Sequence, residues 1–217
     1  MAIVKSTYKD QVVEYVYNLI LDGVLSPGDQ VKESLLAVEM GISRAPIREA
    51  LKELMTNGII EYRPQVGNFI TQLSAKEIVD AYVTRGILEG YAVASGFDRF
   101  TDQDVSDLET MTRVMTASAE AGDRKKVVQV GDDFHSLLIS KCDNMQLIDY
   151  TRRLSQKLHI LFYKFWSRLY SAEEVGDRHF RIIESIKSGN RAAVEQCIRD
   201  HYQETGAKIA EHYTEIR

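Results

Sequence analysis

Residues 75–217 read as long helical periods with almost no strand alternation, and this property constrains the fold more than any other. Breaks fall only at Thr101, Gly122-Asp123, Asp143-Asn144, Ser171 and Gly189-Asn190. They divide the stretch into six helical segments, near 75–98, 101–121, 123–142, 145–169, 172–188 and 190–216. The whole chain of 217 residues holds three prolines, so little interrupts helices of this length. Helices joined by short connections must bury their apolar stripes against one another. The expectation is an antiparallel all-helical bundle. A hydrophobic content of 44% is ample for its core.

Residues 1–71 follow different rules, with short elements broken by turn signals. YKDQVVEYVYNLILDG sets Val12, Val13, Val16, Leu19 and Ile20 on one face, and Gly23 suits its end. LSPGD (25–29) is a turn, and VKESLLAVEMG (31–41) reads as a short second helix. A third helix opens at Ser43, an N-cap, with Ile42 and Ile47 in staple positions and Pro46 in the first turn. Ile47, Leu51 and Leu54 form its buried stripe. After Gly58, IIEYR and NFITQ flank PQVG as a hairpin. Three helices followed by a hairpin is the order of a winged helix-turn-helix. The chain is therefore mostly α, with an N-terminal winged helix-turn-helix (1–73) and a C-terminal bundle (74–217).

In this arrangement the helix opening at Ser43 is the recognition helix. Arg44 and Arg48 stand four apart on one face, opposite Ile47 and Leu51, at the end of the helix that reads base edges and meets phosphate. Ala45 and Pro46 share that first turn. The wing carries Gln65 and Asn68, with Gly67 permitting close backbone approach. Charge argues the other way: residues 1–71 hold 7 Lys and Arg against 9 Asp and Glu, and the whole chain is at −5. A three-helix interaction module with solvated arginines is the alternative.

In the bundle, four positions break otherwise apolar faces. Arg85 lies with Ile78, Ala81, Leu88 and Ala92, and a buried arginine needs an anion, either a ligand or Glu89 one turn on. His135 shares a face with Val128, Leu138 and Ile139. His179 shares one with Ile182, Ile183 and Ile186, and His201 one with Val194, Cys197, Ile198 and Thr205. A single such histidine is usually a satisfied core residue. Three on inward faces of different helices suit a divalent metal such as zinc or nickel. His159 reads as a face or interface residue. Cys142 and Cys197 read as reduced core thiols. MAIVKSTYKD has no apolar leader core and no run is long enough to span a membrane, so a cytoplasmic protein is expected.

The stretch GVLSPGDQVKESLLAVEMGISRAPIREALKELMTNGIIEYRPQVGNFIT resembles the DNA-binding domain of the GntR family of bacterial transcription regulators. The resemblance implies that Arg44 and Arg48 contact bases and phosphates, that Ser43 and Ala45 lie beside the backbone, and that Gly67 is the wing-tip glycine. Ser34 departs from it, since many members carry arginine there. YVTRGILEG (82–90), Phe134-His135, Asn144, His179 with Ile182, and His201 resemble the FCD effector-binding domain of the FadR-type subfamily, in its shorter, six-helix, VanR-like version. That domain commonly holds a divalent metal through an Asp and three His, completed by a small carboxylate effector. The resemblance makes His135, His179 and His201 ligands, with Arg85 and Tyr82 on the effector. The family's aspartate precedes the histidine by four residues, where this chain has Gly131. Asp132, three before, could replace it, while the alternatives are a site of three histidines alone or one that holds effector without metal.

Taken together these readings describe a ligand-responsive regulator, a repressor, binding double-stranded operator DNA as a homodimer. Two alternatives stand beside it. One is a constitutive dimeric DNA-binding protein without metal or effector. The other is a His-metal enzyme, against which the sequence offers no nucleophile motif.

Overall fold

A computed structural model of the chain describes residues 6–215. The chain divides into two compact units between Leu73 and Ser74.

The first unit contains α1 (Tyr8–Leu21), β1 (Gln30–Val31), α2 (Glu33–Met40), α3 (Arg44–Thr56), β2 (Ile60–Arg63) and β3 (Gly67–Ile70). Thr7 and Asp10 form a capping box that starts α1, and the helix buries Val12, Val16 and Ile20. Gly41, at φ +65°, ends α2 with a left-handed cap, which turns the chain directly into α3. Ile47, Ala50, Leu51 and Leu54 of α3 complete the core. The sheet is antiparallel in the order β1–β3–β2, with Ile60 opposite Ile70, Arg63 opposite Gly67 and Gln30 opposite Phe69. This is a winged helix-turn-helix.

The strand β1 departs from the sequence reading, which ran the second helix from residue 31. Val31 instead pairs with Asn68, and α2 begins at Glu33 after Lys32. A two-residue strand is too short to show alternation. It is held by tertiary pairing, including Ile70 N–H donating to Asp29 O and Gly28 N–H to Ile70 O, each at 2.9 Å.

The second unit contains α4 (Ala75–Ser95), a 3-10 turn (Phe97–Arg99), α5 (Asp102–Glu120), α6 (Arg124–Ile139), α7 (Met145–Leu169), α8 (Ala172–Lys187) and α9 (Arg191–Glu215). Capping boxes at Ser74/Glu77, Thr101/Asp104 and Ser171/Glu174 start three of these helices, and Asp123 caps α6. Buried Ile78, Leu108, Phe134, Leu138, Ile182 and Ile198 come from five of them. The first helix stops sooner than its pattern suggested, at Gly96, where Lys141 backbone lies against the Cα.

Helices α4 and α9 approach unusually closely. A Cβ on Gly90 would lie 2.9 Å from Glu195 O, and one on Gly206 would lie 2.5 Å from Tyr82 Cβ. Only hydrogen fits at these two contacts. The close approach brings Arg85 and Glu89 of α4 against Tyr202 of α9.

Candidate functional site

In the first unit, α3 presents its N-terminal turn to solvent. Ser43 occupies the N-cap with extended backbone, but its hydroxyl makes no capping hydrogen bond. That leaves the hydroxyl and the first-turn N–H groups available to an anion such as phosphate. Arg44 and Ala45 are exposed and Pro46 is half-buried. Arg48 is also exposed, and its Nε donates to Glu33 Oε2 at 2.9 Å. Gln65 stands at the wing tip with φ +63°, and Gly67 follows at φ +122°. Asn68 corrects the sequence expectation. It is 8% exposed, because β1 makes β3 the central strand, so it is not presented to a partner.

In the second unit, α6, α8 and α9 bring His135, His179 and His201 together. One ring nitrogen from each lies within 4.8 Å of the others. His135 Nδ1 is paired with Glu89 Oε1 at 2.5 Å, and His179 Nδ1 donates to Val175 O at 2.7 Å. Both rings thereby keep Nε2 as the available nitrogen, each oriented by a hydrogen bond behind it. His201 Nδ1 is buried without a hydrogen-bond partner. Burial and the neighbouring His135 pull His179 down to about 3, despite its bond to Val175. Burial, Arg178 and His179 hold His201 well below its ordinary value. These two imidazoles are neutral, which is the metal-binding form. Three convergent imidazoles, one of them with an orphaned buried nitrogen, fit a divalent cation such as zinc or nickel.

Behind them lies a buried ionic network. Glu89 is fully buried, accepts from Tyr202 Oη at 2.8 Å and lies 3.5 Å from Arg85 Nε. Burial alone would raise its pKa, but His135, Arg85 and the Tyr202 hydroxyl together hold it below the ordinary value. Arg85 is 5% exposed, stacks over Tyr202 at 4.4 Å, and its Nε makes no hydrogen bond. The anion the sequence required is therefore present as Glu89, yet the guanidinium keeps unused donor capacity. Tyr82 is buried, donating to Leu158 O at 3.4 Å. Arg178, invisible to spacing arguments, donates to His201 O and Thr205 Oγ1, each at 2.7 Å, and fixes the α9 backbone at His201. The histidines, Arg85 and Tyr82 line one cavity of about 590 Å³, counting the part open to solvent.

The aspartate expectation requires a correction. Asp132 lines this cavity but is not among the grouped ligand atoms, and its Oδ1 accepts a hydrogen bond from His159 Nε2 of α7. The reason is angular. On a helix, residue i−3 points about 60° to one side of residue i, and i−4 about 40° to the other. Asp132 therefore turns toward α7. Gly131, which also lines the cavity, faces Met115 Sδ, 3.6 Å from where a Cβ would stand. His159, read from sequence as a face residue, is a half-buried member of the same cavity, and burial lowers its pKa despite Asp132.

The family profile for bacterial regulatory proteins of the gntR family matches residues 8–70, and that for the FCD domain matches residues 80–204. The chain belongs to the GntR family and carries an FCD domain; it is a DNA-binding transcriptional regulator. Among its relatives is a probable D-xylose utilization operon transcriptional repressor of Paenarthrobacter nicotinovorans. The two are 26% identical over 200 residues, covering 91% of this chain and 86% of the other. The HTH-type transcriptional repressor RspR of Escherichia coli is 24% identical over 207 residues, covering 95% and 89%. In fold, E. coli McbR/YncC superposes with a TM-score of 0.79 at 19% identity, covering 95% of this chain and 99% of that one. The two sequence relatives are named as transcriptional repressors. Among the described residues, no helix is long and apolar enough to cross a membrane.

Proposed function

We propose that this regulator is a ligand-responsive repressor whose bundle senses a small carboxylate through a bound divalent metal. His135, His179 and His201 would hold the metal, and Arg85 and Tyr82 would meet the effector. When bound, the metal supplies a Lewis-acidic position for an anionic oxygen. The chain's own groups do the rest. Glu89 orients His135, Val175 O orients His179, and Arg178 fixes the backbone carrying His201. The observation that carries this reading is the convergence of three imidazoles within 4.8 Å beside a buried arginine that lacks a hydrogen bond at Nε.

Residues 1–73 would bind double-stranded operator DNA. Ser43, Arg44, Ala45, Pro46 and Arg48 would serve the recognition helix, and Gln65 and Gly67 the wing. Residues 74–217 would bind effector and pair two copies as a homodimer, since one recognition helix reads too few bases for specificity. Effector acts only by binding one arrangement of the dimer better than another. Among relatives, two are described as repressors, which favours repression relieved by effector. The experiment is a thermal-shift screen of small carboxylates on the full chain, with zinc or nickel and with chelator. Stabilisation by an acid that disappears with chelator and in Arg85→Gln is expected. Elemental analysis finding no metal, with no acid stabilising the protein, would leave a constitutive DNA-binding protein instead.

A further inference from the structure

The tip of the wing holds a backbone conformation that its own residue does not favour. Val66 N–H donates to Arg63 O at 3.1 Å, Pro64 follows Arg63, and Gln65 takes φ +63°. These are the marks of a type II turn, whose third position normally belongs to glycine or asparagine. Among the described residues, Gln65 is the one non-glycine at positive φ. Such a residue persists only where its surroundings hold it. One restraint is the turn's own hydrogen bond. The other comes from a different strand: Gln30, on β1, donates its Nε2 to Val66 O at 2.7 Å. A Cβ on Gly67 would stand 3.2 Å from that same Nε2, so the amide lies across the bare glycine. Below the tip, Arg63 stacks on Phe69 at 4.2 Å and its Nε donates to Glu61 Oε1 at 2.8 Å.

We infer that Gln30 is a positioning residue for DNA binding: its amide braces Val66 O and so holds Gln65 at the wing tip in the orientation that meets the minor groove. This rests on the reading in which the wing meets DNA. Three observations carry it. First, Gln30 is exposed, yet its amide reaches from β1 to the carbonyl next to the strained residue. Second, Gln65 and Val66 are both exposed, Val66 at 57%, so burial does not fix the tip. An unbraced tip has to be ordered when DNA binds, and a preorganised one avoids that entropic cost. Third, Asn68 is buried and Arg63 is engaged by Glu61 and Phe69, which leaves Gln65 as the polar side chain the tip presents. A glutamine amide both donates and accepts. In the minor groove A·T pairs offer acceptors alone, while G·C adds the guanine N2 donor, so the orientation of that amide decides which is preferred.

The test uses the full chain and fluorescent duplexes that the parent selects from a random DNA library, read by anisotropy. Exchanging guanine for inosine pair by pair removes only the minor-groove N2 donor, and so finds the pairs beneath the wing. Gln30→Met keeps the length of the side chain and removes its donor. It should bind about three- to tenfold more weakly, the worth of one hydrogen bond. It should also lose the inosine effect at the wing pairs while keeping base preference at the pairs read by α3. In a Gln65→Gly background the turn no longer needs a brace, and adding Gln30→Met should change affinity by less than about twofold. Unchanged affinity in Gln30→Met overturns the proposal. So does a loss as large in the Gln65→Gly background as in the parent, or one spread evenly over α3 and wing pairs, since Gln30 would then serve only the fold. If no pair responds to inosine and Gln65→Gly binds as the parent does, the wing does not meet DNA. That reading then fails, and this inference with it.

Discussion

Replacing Glu89 with Gln tests the buried network most directly. The carboxylate is fully buried and faces three groups at once: His135 Nδ1, Tyr202 Oη and the Arg85 guanidinium. A glutamine keeps one acceptor oxygen but presents an amide N–H₂ to a donor, and it removes the charge that balances Arg85. Breaking a buried pair by deleting one partner costs about 3–5 kcal/mol, because the other charge stays buried. For a unit of this size that corresponds to roughly 6–20 °C in Tm. Losing the group that orients a ligating histidine lowers metal affinity by about 10- to 100-fold. Thermal unfolding in chelator reads the first effect, and zinc titration with a competing indicator reads the second. The double variant Arg85→Met/Glu89→Met should recover most of the stability, since an apolar pair of similar volume leaves no orphaned charge. If Glu89→Gln melts within about 3 °C of the parent in chelator, less than about 1–2 kcal/mol at this size, and binds zinc unchanged, the network does neither job.

Further outcomes follow from other sites. Asp104 accepts from Lys141 at 2.7 Å and from the Thr101 backbone and hydroxyl, and these bonds, Lys141 foremost, pull it down to about 2 from 3.8. Because the folded pKa is the lower one, this stabilisation is complete above about pH 4 and disappears as pH falls towards 2. Asp104→Asn should therefore cost about 1–2 kcal/mol at neutral pH, a figure discounted for partial exposure, and the gap to the parent should close in acid melts. Arg44→Ala and Arg48→Ala should each weaken operator binding, by about 1–3 kcal/mol where a base edge is read, or by a salt slope lower by about one where a phosphate is met. Fluorescence anisotropy across a salt series separates the two, and unchanged affinity in the double variant would refute the assignment of α3. Gly206→Ala drives a Cβ to 2.5 Å from Tyr82 Cβ, and overpacking of that kind costs about 1–3 kcal/mol by denaturant melt.

Much of this was readable before any coordinates. Helix starts were legible at Thr101, Asp123 and Ser171, because a cap is a local matter of one side chain and a few N–H groups, and Ser43 marks the start of α3 although its hydroxyl makes no such bond. The inward facing of His135, His179 and His201 followed from helical period alone. Other features depended on tertiary geometry. Asn68 read as a wing residue because β1 left no periodic signal, and only that extra strand makes β3 central. Glu89 could be paired with Arg85 from spacing, but its bond to His135, from a helix 46 residues on, could not. The direction of Asp132 turned on roughly 100° of rotation between adjacent helical positions, finer than any pattern of apolar residues specifies. His159 was passed over because its own helix gave no reason to look at α6.

The glycine contacts between α4 and α9 also have a bearing on how such a sensor could be altered. With Gly90 and Gly206 admitting no side chain, the bar carrying Arg85, Glu89, His201 and Tyr202 is locked at one spacing. Asp132 and His159 sit on α6 and α7, outside that bar. Changes there can reshape the cavity wall formed by α6 and α7 while the spacing of α4 and α9 stays in register.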